Sequence, residues 1–353
     1  MGIEKVIGVD AQGGDVLEKT ADSERQEVYQ RATTAVKTVA AKHPDYTFYL
    51  VGNPDQINKV LGKYPDNIKV EPGRGAKCRA ITRLGEMIEE KLIGGIYTCG
   101  NTKEVSAVVM SQICVMEEFA KVFPGEKLAP MLAEVPKSPF VERVSTFFAL
   151  DVGSIPTLSK PEHYVLYAKL GQIYAEVMGR QNPSIGLLNI GAEYGKGSSI
   201  LKEANSLLKN SRLNFIGNVE PYVCIYDHEK GSDEARPVDI LVSNGELGNI
   251  FIKTLSTGAS LGTDFVKEAI MKGDIIGKVA GFYLSRKAFV QAKKRADPSA
   301  TGGSVFIGAK YPVFKNHGTF TTYGMTVGLE KYISLIEHGI LGKIRDAFSV
   351  YND

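Results

Sequence analysis

Six short segments of this chain carry residue types suited to holding an anion: DAQGGD at 10–15, CGNT at 99–102, DVGS at 151–154, NIGAEYGKG at 189–197, GNVE at 217–220 and NGELGN at 244–249. Glycine lets backbone N–H groups come close to a bound oxyanion, and Asp, Asn, Ser and Thr suit tight turns. Gly13, Gly14, Gly100, Gly191, Gly197, Gly245 and Gly248 are therefore candidate backbone donors, with Asp10, Thr102, Asn218 and Lys253 as polar neighbours. A phosphate or a phosphorylated intermediate is the natural guest of such turns. Cys99 closes the apolar run GGIYTC, and two readings of it stand side by side. One is a working thiol at a strand end; the other is a small core residue beside a tight turn. No segment is specific alone. GAEYGKG lacks the spacing of a P-loop, and no GxGxxG follows the first apolar run.

The elements that must position these segments alternate. VIGVDA (6–11), YTFYLVG (46–52), GGIYTCG (94–100), FFALDVG (147–153), SIGLLNIG (184–191), RLNFIGNVE (212–220), VDILVSNGELG (238–248) and GSVFIGAK (303–310) read as strands. Helical spacing covers 23–42, 81–92, 102–123, 161–179 and 324–348, and Ser23 with Gln26 resembles a capping box. The alternation predicts an α/β fold, a mostly parallel, doubly wound sheet in one unit over 1–353. Residues 249–300 read as a projecting helical element. In a parallel sheet all carboxyl ends lie on one edge, so the six turns are expected to converge on one rim.

Bulk properties narrow the class. The 42 basic and 40 acidic residues nearly balance, which gives no electrostatic case for a nucleic-acid partner. No apolar stretch approaches the length of a membrane span, and the first residues lack the layout of a signal peptide, so a cytoplasmic protein without stable membrane insertion is expected. Cys78, Cys99, Cys114 and Cys224 are scattered without CxxC spacing, and neither a metal site nor a redox dithiol is signalled.

Seven stretches in order resemble the phosphate acyltransferases, the PlsX family: DAQGGD, Gly100–Asn101–Thr102, LDVGSI with KPEH, GLLNIGAEYGKG, LNFIGNVE, NGELGNIFIKT and GGSVFIGAKYPVFKNHG. The resemblance implies a fold like those of isocitrate dehydrogenase and phosphotransacetylase, and acyl transfer from a thioester to inorganic phosphate with no further cofactor. It also places departures in the site. Cys99 stands where the family has Ala, Lys103 and Glu104 replace small residues, Asn244 replaces Asp, and HGTFT at 317–321 replaces HGSSD. These departures resemble a divergent branch, the alpha subunit of protein C of glycine, sarcosine or betaine reductase, which takes part in forming acetyl-phosphate. That branch implies a ketosynthase-like beta subunit, a selenoprotein or other thiol acyl carrier, and an oligomer.

The resemblance assigns roles. Lys196 helps the 99–102 and 191–197 amides hold phosphate; Asn101, Asn218 or Asn249 donates to the carbonyl oxygen as it gains charge; His317 moves a proton or contacts phosphate. Cys99 either accepts the acyl group or merely replaces the family's alanine. Three other readings are weighed: a long-chain acyl-phosphate synthase that touches the membrane, a non-catalytic subunit holding its partner, and a dehydrogenase of the isocitrate type. The last is disfavoured by the missing dinucleotide fingerprint.

Overall fold

The computed structural model describes residues 2–12, 22–75, 79–113, 116–117, 121, 124, 126–141, 145–232, 234–272, 301–316 and 321–349. The strands are β1 (Val6–Asp10), β2 (Thr47–Gly52), β3 (Ile68–Pro72), β4 (Gly95–Thr98), β5 (Met131–Pro136), β6 (Thr146–Leu150), β7 (Ile185–Leu188), β8 (Phe215–Val219), β9 (Ile240–Val242), β10 (Ser304–Phe306) and β11 (Val313–Lys315). The helices are α1 (Asp22–Lys42), α2 (Pro54–Leu61), α3 (Ala80–Glu89), α4 (Thr102–Val108), α5 (Glu162–Val177), α6 (Ser199–Lys209), α7 (Pro221–Tyr226), α8 (Gly245–Lys272), α9 (Thr322–Glu337) and α10 (Ile340–Ser349). The eleven described strands form one sheet in the order β3-β2-β1-β4-β11-β10-β5-β6-β9-β7-β8.

Alternate strand residues enter two separate cores, as a pleated strand requires. Tyr97, Phe148, Leu150, Ile240 and Val242 join the cluster packed by α1, α5, α6, α9 and α10. Ile96, Phe147, Ala149 and Leu241 join the cluster packed by α3, α4, α7 and the first turns of α8. Helices on both faces are the doubly wound arrangement expected from the alternation.

Seven of the ten strand pairings are parallel, so the sheet is mostly parallel. The other three overturn the single rim. β10 runs antiparallel to both β11 and β5, and β5 runs antiparallel to β6. Three successive reversals leave β6, β9, β7 and β8 running opposite to β1–β4 and β11. The turns after β1 and β4 therefore lie at one sheet edge, and those after β6, β7, β8 and β9 at the other.

Other boundaries shift for local reasons. The helix expected over 102–123 is α4 followed by a π-helical turn at Val109–Ile113. The helix expected over 324–348 is broken into α9 and α10 at Gly339, whose φ of 66° is left-handed. The helical element expected over 249–300 starts as α8; beyond Leu255 none of its described side chains is buried. Residues 273–300, and the side chains of the Ser23–Gln26 capping pair, lie outside the description, as do Cys78 and Cys114.

One buried ion pair ties β5 to α7. Lys137 Nζ donates to both carboxylate oxygens of Asp227, at 2.6 and 2.8 Å, and the Lys137 side chain is fully buried. Asp227 Oδ1 also accepts from the Val238 amide at 3.1 Å. Removing one partner strands the other charge, so Lys137→Met should cost about 3–5 kcal/mol in urea unfolding. The double variant Lys137→Met, Asp227→Asn should recover a large part of that loss.

Candidate active site

The first group of turns is built on a buried carboxylate. Asp10, at the end of β1, accepts from Thr98 Oγ1 at 2.7 Å and from the Gln12 amide at 2.9 Å. Thr98 Oγ1 in turn accepts from the Gly100 amide at 2.8 Å, which fixes the turn after β4. Gln12 Oε1 accepts from the Ala80 amide at the start of α3. Asp10 thus spends its carboxylate on the scaffold rather than projecting it at a ligand. Asn101 caps α4 by accepting from the Lys103 amide at 2.9 Å. The amides of that first turn point out of the helix start, where an anion is favoured.

A cation joins this turn from β11. Lys315 is the register partner of Thr98, half-buried, with Nζ on the Asn316 carbonyl at 3.2 Å. The Asn316 amide bonds the Thr98 carbonyl at 2.8 Å, and its side chain bonds Tyr97 Oη and the Gly324 carbonyl. Lys315 was legible in PVFKNHG, but only as part of a motif; nothing local tells that β11 lies beside β4. Gly13, Gly14 and His317 lie outside the described residues, which the chain leaves at Gln12 and Asn316 on this edge.

Cys99 sits in this group but is fully buried. Burial first, and then the Asp10 carboxylate, push its thiol well above the ordinary value, with Lys315 acting weakly the other way. The surroundings therefore hold a neutral, packed thiol rather than a resting thiolate.

The second group gathers at the opposite edge. Asp151 Oδ1 accepts from the amides of Met131, Gly153 and Ser154, and Oδ2 from Ile155 at 2.7 Å. Gly248 presses on this turn so closely that a Cβ there would stand 1.9 Å from the Asp151 carbonyl oxygen. Gly245 is held likewise against the Ile155 backbone, and Asn249 lies beside Gly153. In the 189–197 loop, Asn189 Nδ2 donates to the Lys196 carbonyl, and Gly197 is left-handed with φ 87°. Asn218 is buried and consumed internally: its Nδ2 donates to the Glu193 carbonyl, beside Gly191, and its Oδ1 accepts from Asn205. Lys196 and Lys253 are exposed.

Strand direction thus brings Asp10, Cys99, Gly100, Asn101 and Thr102 together, and separately Gly191, Lys196, Gly197, Asn218, Gly245, Gly248, Asn249 and Lys253. It does not put Lys196 on the edge of the 99–102 turn; Lys315 from β11 and Lys103 on α4 are the lysines there. Among the described residues no cluster of His, Cys, Asp or Glu could hold a metal ion. No described helix is long and apolar enough to cross a membrane.

Residues 6–343 match the family model described as "Fatty acid synthesis protein". The chain belongs to that family. Curated relatives named phosphate acyltransferase agree over its length: the one of Ligilactobacillus salivarius is 29% identical, covering 98% of this chain and 99% of its own. That of Pediococcus pentosaceus is 30% identical over 98% and 95%, and that of Aquifex aeolicus 32% over 79% and 81%. Among solved structures, a branched-chain phosphotransacylase from Enterococcus faecalis superposes with a TM-score of 0.53 at 12% identity, covering 94% of this chain and 99% of that one. A phosphotransacetylase from Streptococcus pyogenes gives 0.52 at 10%, covering 96% and 94%. These two likenesses establish the α/β fold. The family and its named members make this chain an acyltransferase enzyme.

Burial pushes the Asp151 carboxyl up to about 6, against the four amides that favour its ionised form. A carboxyl raised above 3.8 stabilises the fold most below that pH, and the contribution is lost as pH rises through about 6. A ¹³C titration of the aspartate carboxyl carbons should show one midpoint near 6 that is absent from Asp151→Asn.

Proposed function

We propose that the protein transfers an acyl group from a thioester to inorganic phosphate, releasing an acyl phosphate and a free thiol. The observation that supports this best is the pairing of β4 with β11, which sets Lys315 beside the Gly100–Thr102 turn and the start of α4. Amides and one lysine at a strand end suit a divalent oxyanion, and the neighbouring carboxylate, Asp10, is turned inward onto Thr98 Oγ1 and the Gln12 amide.

In this reading a phosphate oxygen, held by Lys315 and the helix-start amides, attacks the thioester carbonyl carbon. The C–S bond breaks and the thiol leaves with a proton, for which His317 is the assigned donor. The carbonyl oxygen gains charge in the tetrahedral state, and the Asn101 side chain on this edge supplies a donor worth about 3–4 kcal/mol. Direct attack needs no enzyme thiol, in keeping with the buried Cys99.

The acyl group we assign is longer than acetyl and carried on a thiol carrier. The exposed pair Leu261 and Phe265, one turn apart on α8, supports it, at 52 and 61% exposure, because apolar side chains grouped on a helix face suit an apolar chain or partner. The second reading, the acetyl-phosphate-forming subunit of a glycine, sarcosine or betaine reductase with a ketosynthase-like partner, draws its support from the substituted 103–104 and 319–321 positions.

Phosphate-dependent release of thiol from a series of acyl thioesters, two to sixteen carbons long, tests both. Turnover that rises with chain length supports the first reading, turnover confined to acetyl the second, and no phosphate-dependent turnover refutes both. Lys315→Ala should raise the KM for phosphate about 10- to 100-fold, the loss of one charged hydrogen bond. Cys99→Ala should leave kcat within about threefold; a loss above a hundredfold, with an acyl adduct on the thiol, would restore the covalent route.

A further inference from the structure

A groove at the amino-terminal ends of β1, β4 and β11, across the sheet from the Gly100–Thr102 turn, opens where the N-terminal residues, the segment before β11 and the α9–α10 corner meet. Its volume is about 420 Å³, within the ~300–1,000 Å³ typical of small-molecule sites. Ile3, Pro312, Ile336 and Leu341 give it apolar walls, and Ile3 is 37% exposed there. Its charged lining residues are Lys310, Arg345 and one acid, Glu4. Lys310 is shared with Glu117 at 3.5 Å, whereas the side chain of the exposed Arg345 makes no ion pair or hydrogen bond among the described residues. Pro312, Ile340 and Leu341 form the wall between the groove and a second, water-sized cavity of about 10 Å³. Tyr174 lines that inner cavity, and its fully buried hydroxyl has no hydrogen-bond partner among the described residues.

We propose that this groove binds one amphiphile with an anionic head and an unbranched apolar chain of medium length. The head pairs with Arg345, helped by Lys310, and the chain lies along the Pro312–Leu341 wall toward the inner cavity. An apolar trough with an unspent guanidinium at its rim fits that chemistry: the arginine supplies planar donors to a carboxylate or phosphate, and the walls bury methylenes at about 0.8 kcal/mol each. An uncharged apolar ligand would leave the arginine unused, and a cation would meet two like charges. The inference stands apart from the acyl-transfer reading, since it concerns binding at other residues.

Calorimetric titration of the full chain with decanoate, in the absence of thioester and phosphate, tests it. One saturable site per chain below the micelle concentration is expected, with no competition from decyltrimethylammonium. Arg345→Glu should weaken binding at least tenfold. Gly342→Phe should do the same by filling the groove, since a Cβ at Gly342 meets open space and the helix itself tolerates it. Decyl phosphate separates the sources of the anion: binding tighter than decanoate points to a phosphorylated amphiphile, weaker binding to a free carboxylate, and both keep the site. Absent saturation, equal binding of the ammonium amphiphile, or unchanged affinity in Arg345→Glu overturns the proposal. So does a Gly342→Phe effect confined to the sedimenting mass, which would make the groove a contact between copies. Should Gly342→Phe fail to fold by circular dichroism, the exposed Arg345→Glu decides alone.

Discussion

Strand direction at the centre of the sheet governs where every loop of this protein can act. β5 and β10 are the two strands that reverse their neighbours, and each reversal moves the carboxyl ends beyond it to the other edge. Backbone hydrogen bonding enforces this strictly, because a strand buried between two others cannot turn without abandoning both ladders. The glycine-rich turns are consequently sorted into two sets, one around β1, β4 and β11 and one around β6, β7, β8 and β9. The chemistry then has to be read from each set, not from their sum.

Each set is anchored by one buried aspartate that faces backbone. Asp10 joins the ends of β1 and β4, and Asp151 closes the turn after β6 onto the start of β5. A buried carboxylate is costly unless its lone pairs are filled, and here they are filled by local amides and a hydroxyl. The arrangement uses acid groups to hold glycine-rich loops in one conformation while leaving outward amides for a ligand.

Much of this was legible in the sequence. The helices around 23–42, 81–92 and 161–179 follow apolar spacing and recur within three residues, and eight strands coincide with apolar runs. β3, β5 and β11 were not, because Pro72, Pro136 and Pro312 end or border short runs in which burial does not alternate cleanly. Strand direction is absent from any local pattern, since a parallel and an antiparallel strand of the same burial have the same composition. That gap accounts for the expectation of one rim, for placing Lys196 with the 99–102 turn, and for passing over Lys315.

The departures from the family's motif can be weighed by where they fall. Cys99 replaces alanine at a position with no exposure, in contact with the apolar core, so a small side chain is exchanged for another and the packing question outweighs the chemical one. Lys103 and Glu104 are different: both are exposed on the first turn of α4. A glutamate there is favoured by the helix start but opposes a second anion at the same amides, while Lys103 offsets it. The net effect on phosphate is therefore set by which of these two side chains faces the ligand. A phosphate that binds despite Glu104 needs the cation supplied from β11, which makes Lys315 more consequential in this chain than it would be where small residues follow the turn.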